Sequence, residues 1–348
     1  MAPVTNGRYV FNEYPTGYPV LDKTLSYDAT NAIDLWNVPL NGGTLIKVLV
    51  LSIDPFLRNR MDMPDPEAAF SWSFKKGEPI EGYGVGVVLR TENSALKKGD
   101  LVYGLYDFQE YVIWPGLPAN GISRVLENKE NLPLSAYVGV AGMPGQTAYY
   151  GWKEYASPKN GEVAFVTTGA GPIGATVIQF AKAAGLKVIA SAGSDEKVAY
   201  MKSIGADVAF NYKTTKTATV LQKEGPINIF WDNVGGETFE AAIEYAATGA
   251  RFLQCGSAST YNATEVYPVK NLTKITVKEL HIHGFNVAGS LATKYREEFY
   301  ATVPGQIARG ELKYKEYVLR GLNLAGQGLL DVLTGKNFGK CVIIVADE

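Results

Sequence analysis

Three glycines at fixed spacing carry the clearest chemistry in this sequence. Gly169, Gly171 and Gly174 form G-x-G-x-x-G within EVAFVTTGAGPIGATVIQFAKAAG, with Pro172 and Ile173 between the second and third. The pattern follows a short apolar run and opens a segment with helical spacing. In that setting the first glycine permits a tight turn and the second lets the backbone approach a pyrophosphate. The third allows close packing of helix on strand, and the free N–H groups at the helix start favour an anion. Glycine-rich turns are common, so the pattern alone is weak; the strand–turn–helix context makes it a dinucleotide site.

The next question is which dinucleotide. An NAD site usually ends its second strand in an acid that binds the adenosine ribose. Here residues 189–194 read IASAGS, with no carboxylate at the strand end. An acid there would repel a 2′-phosphate, so its absence removes one barrier to NADP. Asp195 follows where the next helix begins and reads as its cap or first-turn acid. Beside Ser194, Lys197 and Tyr212 can supply a charge and a hydroxyl to that phosphate. The plain alternatives are a solvated helix lysine and a half-buried strand-end aromatic.

These residues need a scaffold, and the pattern around them supplies one. Strand-like runs at 162–167, 187–192, 208–211, 227–231 and 251–255 alternate with helical segments at 173–185, 195–204 and 238–246. Such alternation predicts βαβ units and a parallel sheet. The first 130 or so residues differ: apolar, β-branched stretches at 44–51 and 84–89 lie between Gly, Pro, Asn and Asp clusters. They predict a compact, barrel-like β domain. Beyond Pro304 a short helix, mixed segments and a last strand at 340–345 are expected.

Composition narrows the class. The chain has 348 residues, 46% hydrophobic and 20% charged, enough for two domains. Lysine plus arginine (33) nearly balances aspartate plus glutamate (35), so no general field draws nucleic acid or an anionic membrane. No apolar stretch reaches membrane-spanning length, and the N-terminus lacks a basic segment followed by an apolar run. Cys255 and Cys341 are too few for a disulfide framework. A cytoplasmic protein is the expectation.

Several longer strings resemble one family: SIDPFLRNRM (52–61), EGYGV (81–85), GMPGQTAYYG (142–151), AGSDEKVAY (192–200), VAFNYK (208–213), WDNVGG (231–236) and GKNFGK (335–340). The family is the leukotriene B4 12-hydroxydehydrogenase/prostaglandin reductase group, which includes alkenal double-bond reductases, within the zinc-free medium-chain dehydrogenase/reductases. The resemblance spans nearly the whole chain. It implies an α/β protein: a Rossmann doubly wound parallel sheet domain (135–304) plus a GroES-like β-barrel substrate domain (1–134), to which 305–348 returns. It also implies NADPH as hydride donor, an α,β-unsaturated aldehyde or ketone as substrate, and a homodimer.

Residue by residue, the resemblance places Lys197 and Tyr212 at the 2′-phosphate and Asn233 near the nicotinamide. Cys255, Gly256 and Ser257 fall in a turn beneath the cofactor, and Phe285 to Val287 face the nicotinamide. Met143 and Thr147 lie beside the cofactor, and Asn337 and Gly339 in a C-terminal loop closing on it. Tyr261 and Tyr83 fall near substrate, with Tyr261 also close to the nicotinamide ribose. Phe56 stands where many relatives have tyrosine, which makes the pocket more apolar. Asp54 and Arg58 read as a buried or interdomain ion pair rather than as catalytic groups, since hydride transfer to an enal needs no carboxylate base. Trp72 and Phe74 read either as an apolar mouth or as core.

The two cysteines and the only histidines, His281 and His283, offer no recognisable ligand spacing, so no metal is expected. What remains is hydride transfer from nicotinamide C4 to the β-carbon of an enal or enone. Negative charge then develops on the carbonyl oxygen, where a neutral phenol is a suitable donor at pH 7. Tyr261 and Tyr83 are the candidates. An NADPH:quinone oxidoreductase, an NADP-dependent alcohol dehydrogenase and a non-catalytic NADPH-binding sensor are the competing readings.

Overall fold

The computed structural model describes residues 2–64, 72–116 and 123–347. The chain divides into two units, Met1–Gly139 with Glu316–Glu348, and Val140–Lys315.

Among the described residues, the first unit is built on a seven-stranded sheet. Thr44–Ser52 pairs antiparallel with Glu81–Thr91, followed by Leu101–Asp107 and Arg124–Val125. The last residues of Thr44–Ser52 also pair with Lys340–Ile344, and its first residues with Tyr111–Trp114. Glu316–Arg320 joins Lys340–Ile344 in parallel. One strand thus serves three neighbours, and its pairing with Glu81–Thr91 carries two register shifts, one on each strand. The sheet curls around a core containing Phe11, Ile46, Leu51, Tyr106, Phe108 and Ile343. This is the GroES-like barrel.

The second unit holds a six-stranded parallel sheet. Its strands are β1 (Val163–Val166), β2 (Lys187–Ala192), β3 (Val208–Asn211), β4 (Ile227–Asp232), β5 (Ala246–Gln254) and β6 (His281–Gly284). Their spatial order is 3-2-1-4-5-6, the doubly wound Rossmann order. Strands buried on both faces must be apolar nearly throughout. One cross-strand row makes the point: Ile189, Phe165, Phe230 and Phe252 stand side by side, each fully buried. The Phe165 and Phe230 rings stack at 5.2 Å, and Phe252 meets Phe230 edge-on at 5.1 Å.

Two elements depart from expectation. The strand read at 251–255 starts at Ala246, because the chain shifts register between Ile227 and Ile229 of its neighbour and continues the pairing. The short helix expected after Pro304 is instead one long helix, Ser290–Ala308, with Pro304 inside it. Leu291, Phe299, Val303 and Ile307 bury one face of that helix, and this packing outweighs the hydrogen bond that proline removes. No helix among the described residues is long and apolar enough to cross a membrane.

Candidate active site

The glycine loop joins β1 to the helix Pro172–Ala183, with Gly171 as N-cap and Pro172 and Ile173 in the first turn. The left-handed residue of this turn is not the first glycine but Thr168, at φ +49°, uncommon for a β-branched side chain. Gly169 is required for space instead. A methyl group there would stand 2.5 Å from Met201 Sδ and 2.9 Å from Ile178 Cδ1. At Gly174 it would stand 2.5 Å from the Thr168 carbonyl oxygen and 2.8 Å from Gly169 Cα, so the third glycine lets helix meet strand. At Gly171 only the Thr168 oxygen lies near, at 3.2 Å. The second glycine is therefore the one the protein itself constrains least, as expected where the backbone must leave room for a pyrophosphate.

At the end of β2, Ser194 caps the helix Asp195–Ser203 and accepts from the Lys197 backbone N–H at 3.4 Å. Asp195 lies in the first turn and accepts from the Asn211 amide at 3.1 Å. A methyl group on Gly193 would stand 3.1 Å from the Tyr212 hydroxyl and 3.2 Å from Lys213 Cε. Gly193, Ser194, Lys197, Tyr212 and Lys213 therefore gather around one strand end. Burial and then the Lys213 charge hold the Lys197 ammonium below its ordinary pKa. Two cations held together this way favour a dianion beside them. The sequence marks Lys213 only as the last residue of VAFNYK, directly after Tyr212. Lys213→Ala is expected to raise KM for NADPH about tenfold and to leave KM for NADH unchanged. Equal loss with both cofactors in steady-state kinetics would remove it from the phosphate site.

The ends of β1, β4 and β5 form the other side of the sheet edge. Asn233 donates its backbone N–H to Thr167 Oγ1 at 2.8 Å and its side-chain amide to the Thr167 carbonyl at 2.7 Å. The Trp231 indole reaches its carbonyl oxygen at 3.3 Å. The Asn233 side chain is thus engaged inside the protein and clamps two strand ends together. Cys255, Gly256 and Ser257 follow β5, and the Ser257 N–H donates to the Tyr261 hydroxyl at 3.4 Å. Cys255 is pushed up to about 12 by burial and then by the Asp232 charge, which keeps it a thiol.

The remaining residues of this unit pack alongside. Met143 and Thr147 are buried in the helix Met143–Gly151, where the Thr147 hydroxyl donates to the Met143 carbonyl at 2.8 Å. Phe285 meets Trp231 edge-on at 5.8 Å and Tyr155 at 5.9 Å, and Val287 is half-buried two residues on.

Phe56, Tyr83, Asn337 and Gly339 belong to the barrel unit. Tyr83 stacks on Tyr103 at 5.8 Å, Phe56 meets Tyr83 edge-on at 6.2 Å, and Trp72 stacks on Phe56 at 5.7 Å. Burial first, and then the Asp54 charge, push the Tyr83 phenol well above its ordinary pKa, so it is a neutral donor at any physiological pH. Trp72 is half-exposed and Phe74 buried. Asp54 and Arg58 do not pair with each other. Lys340 Nζ holds Asp54 at 2.6 Å in a buried pair, whereas Arg58 holds Asp62 at 2.6 Å. The Asn337 amide donates to the Gly339 carbonyl at 2.8 Å, closing the loop just before Lys340.

Comparison with known proteins agrees with this architecture. Residues 8–122 match a family described as the N-terminal domain of oxidoreductase, and residues 172–304 one described as zinc-binding dehydrogenase. The NADP(+)-dependent 2-alkenal reductase of Nicotiana tabacum is 38% identical, over 99% of this chain and 99% of its own length. Prostaglandin reductase 1 of Mus musculus is 35% identical over 88% of this chain and 90% of its own. CurA of Vibrio vulnificus, solved with NADPH, superposes with a TM-score of 0.87 at 29% identity, over 98% of this chain and all of that one. This chain belongs to the prostaglandin reductase/alkenal double-bond reductase family of the medium-chain dehydrogenase/reductases.

Proposed function

We propose that this protein is an NADPH-dependent reductase of the C=C bond in α,β-unsaturated aldehydes and ketones. The reading is carried by the glycine loop and the Lys197–Lys213 cluster at the end of β2, in a chain alike over its whole length to a 2-alkenal reductase. The residues fit the cofactor: Gly171 leaves room for a pyrophosphate, and Ser194, Lys197, Tyr212 and Lys213 at the end of β2 would hold the 2′-phosphate. Bound NADPH supplies the hydride. Tyr261 donates a hydrogen bond to the carbonyl oxygen as the β-carbon is reduced, and its own oxygen accepts from Ser257. Tyr83 and Phe56 line the substrate pocket, with Tyr83 the second candidate donor. Met143, Thr147, Phe285 and Val287 are the further cofactor-binding candidates of the Rossmann unit, and the family resemblance alone assigns Asn337 and Gly339 to the cofactor.

The donor set does not fit a zinc centre, although one matched family is described as zinc-binding. Among the described residues no three His, Cys, Asp or Glu side chains gather. The Cys341 thiol points at the Gly328 carbonyl, and the His283 ring stacks on Tyr155 at 4.6 Å. The reaction is therefore read as zinc-independent. The family resemblance supports a homodimer, and the sparse cysteines support a reducing, cytoplasmic setting.

The test is loss of the reduced-nicotinamide absorbance with a medium-chain 2-alkenal, with NADPH and NADH in parallel, followed by product analysis. NADPH-selective oxidation yielding the saturated aldehyde is expected. Turnover only with a quinone would replace this reading by a quinone reductase. NADPH binding without any turnover would replace it by a non-catalytic binding protein.

A further inference from the structure

Trp72 and Phe74 stand two residues apart, and the structure separates them. Phe74 is buried in the core of the barrel unit, whereas Trp72 is 54% exposed. A single exposed aromatic is ordinary on a protein surface. This one is fixed in place. Arg60, itself buried, donates from Nε to the Trp72 carbonyl at 3.1 Å. Its guanidinium lies 5.6 Å from the Trp72 ring centre and 4.3 Å from that of Phe74. Glu81 holds the guanidinium in turn, through its backbone carbonyl at 3.1 Å and its carboxylate at 2.9 Å. The Phe74 N–H donates to the Arg60 carbonyl at 2.6 Å, so residues 72–74 are tied to Arg60 at two backbone points.

The ring so held continues a row. Trp72 stacks on Phe56 with 23° between the planes, and Phe56 meets Tyr83 edge-on. Tyr83 lies 7° from parallel with the fully buried Tyr103. The row thus runs from the core through the half-buried Phe56 to an exposed end at Trp72. A saturated group gains from such a wall only by the area it buries. An aromatic ring gains in addition from offset stacking or edge-to-face contact. Because Arg60 already orders this segment, little of that gain is lost to fixing it on binding.

We infer that Trp72 is a specificity-determining residue of the proposed reduction. It selects enals and enones whose C=C bond carries a flat aromatic ring over those carrying a saturated group of the same size. The inference rests on the reading of Phe56 and Tyr83 as substrate-pocket residues.

Trp72→Leu and Trp72→Phe are compared with wild type on 3-phenylpropenal and 3-cyclohexylpropenal, with NADPH. Both aldehydes carry a six-membered ring on the β-carbon, and only the first ring is flat. The quantity read is the ratio of the two kcat/KM values. Any loss of folded enzyme cancels within that ratio, and the aldehydes' own difference in reactivity cancels between variants. In Trp72→Leu, which keeps an apolar side chain, the phenyl-over-cyclohexyl ratio is expected to fall about fivefold. In Trp72→Phe it should stay within about twofold of wild type. An unchanged ratio in Trp72→Leu, even with both values lowered together, would overturn the inference and leave Trp72 a plain apolar wall. Wild type that reduces a straight-chain 2-alkenal but neither ring aldehyde would overturn it too. Wild type that reduces none of the three removes the proposed function instead.

Discussion

Gly174→Ala is expected to abolish measurable NADPH binding and to lower the melting temperature, whereas Gly171→Ala should lose affinity alone. The two glycines stand three residues apart but are constrained by different things. At Gly174 the added carbon meets the Thr168 carbonyl and Gly169 Cα, well inside contact distance. Both are backbone atoms of the phosphate loop, so neither can swing aside as a side chain would. Overpacking of this kind costs about 1–3 kcal/mol, and the relief must come from moving the loop itself. Affinity for NADPH should fall by at least about 100-fold, because the helix N-terminus no longer points where phosphate binds. At Gly171 the new carbon meets only one oxygen, at 3.2 Å. That variant should melt with wild type and bind more weakly, because the obstruction is to the cofactor. Isothermal titration and melting curves on both variants separate the cases; normal NADPH affinity in Gly174→Ala would contradict the loop assignment.

Tyr261→Phe should lower kcat with a 2-alkenal by about 100-fold while leaving NADPH affinity within a few-fold. Removing one preorganised donor to a developing oxyanion typically costs this much. The phenol accepts from the Ser257 N–H, a bond that strengthens its own donation. Tyr83→Phe should be milder, about tenfold or less in kcat, with the larger change in KM. That phenol is buried on a stack of aromatic rings, and the ring survives the substitution. Single-turnover rates under saturating NADPH distinguish the two. A greater loss at Tyr83 than at Tyr261 would exchange their roles.

Much of the scaffold was legible because parallel strands buried on both faces leave continuous apolar runs. Residues 187–192 and 208–211 match β2 and β3 end to end, and β1 lies within its predicted run. What escaped depended on tertiary contacts. Pro304 reads locally as a helix breaker, yet a buried helix face carries the chain through it. Nothing in the letters TTGAG tells that Thr168, rather than a glycine, takes the left-handed conformation. Lys213 follows Tyr212, but which way a residue faces at a strand end depends on the turn that follows. Asp54 found its cation at Lys340, far along the chain, and no local rule pairs them. The WDNVGG string marks Asn233, while the burial of the neighbouring Asp232 carboxylate, which accepts from the Val234 and Gly235 N–H groups, shows only in the folded chain.

The most direct test of the central claim is where the hydride goes. The protein is run with NADPH deuterated at nicotinamide C4, on each face in turn, and a 2-alkenal in ordinary water, and the product is analysed by NMR. Deuterium from one face of the cofactor should appear at the β-carbon of a saturated aldehyde, with the α-hydrogen drawn from solvent. Deuterium at the carbonyl carbon of an allylic alcohol would contradict the account.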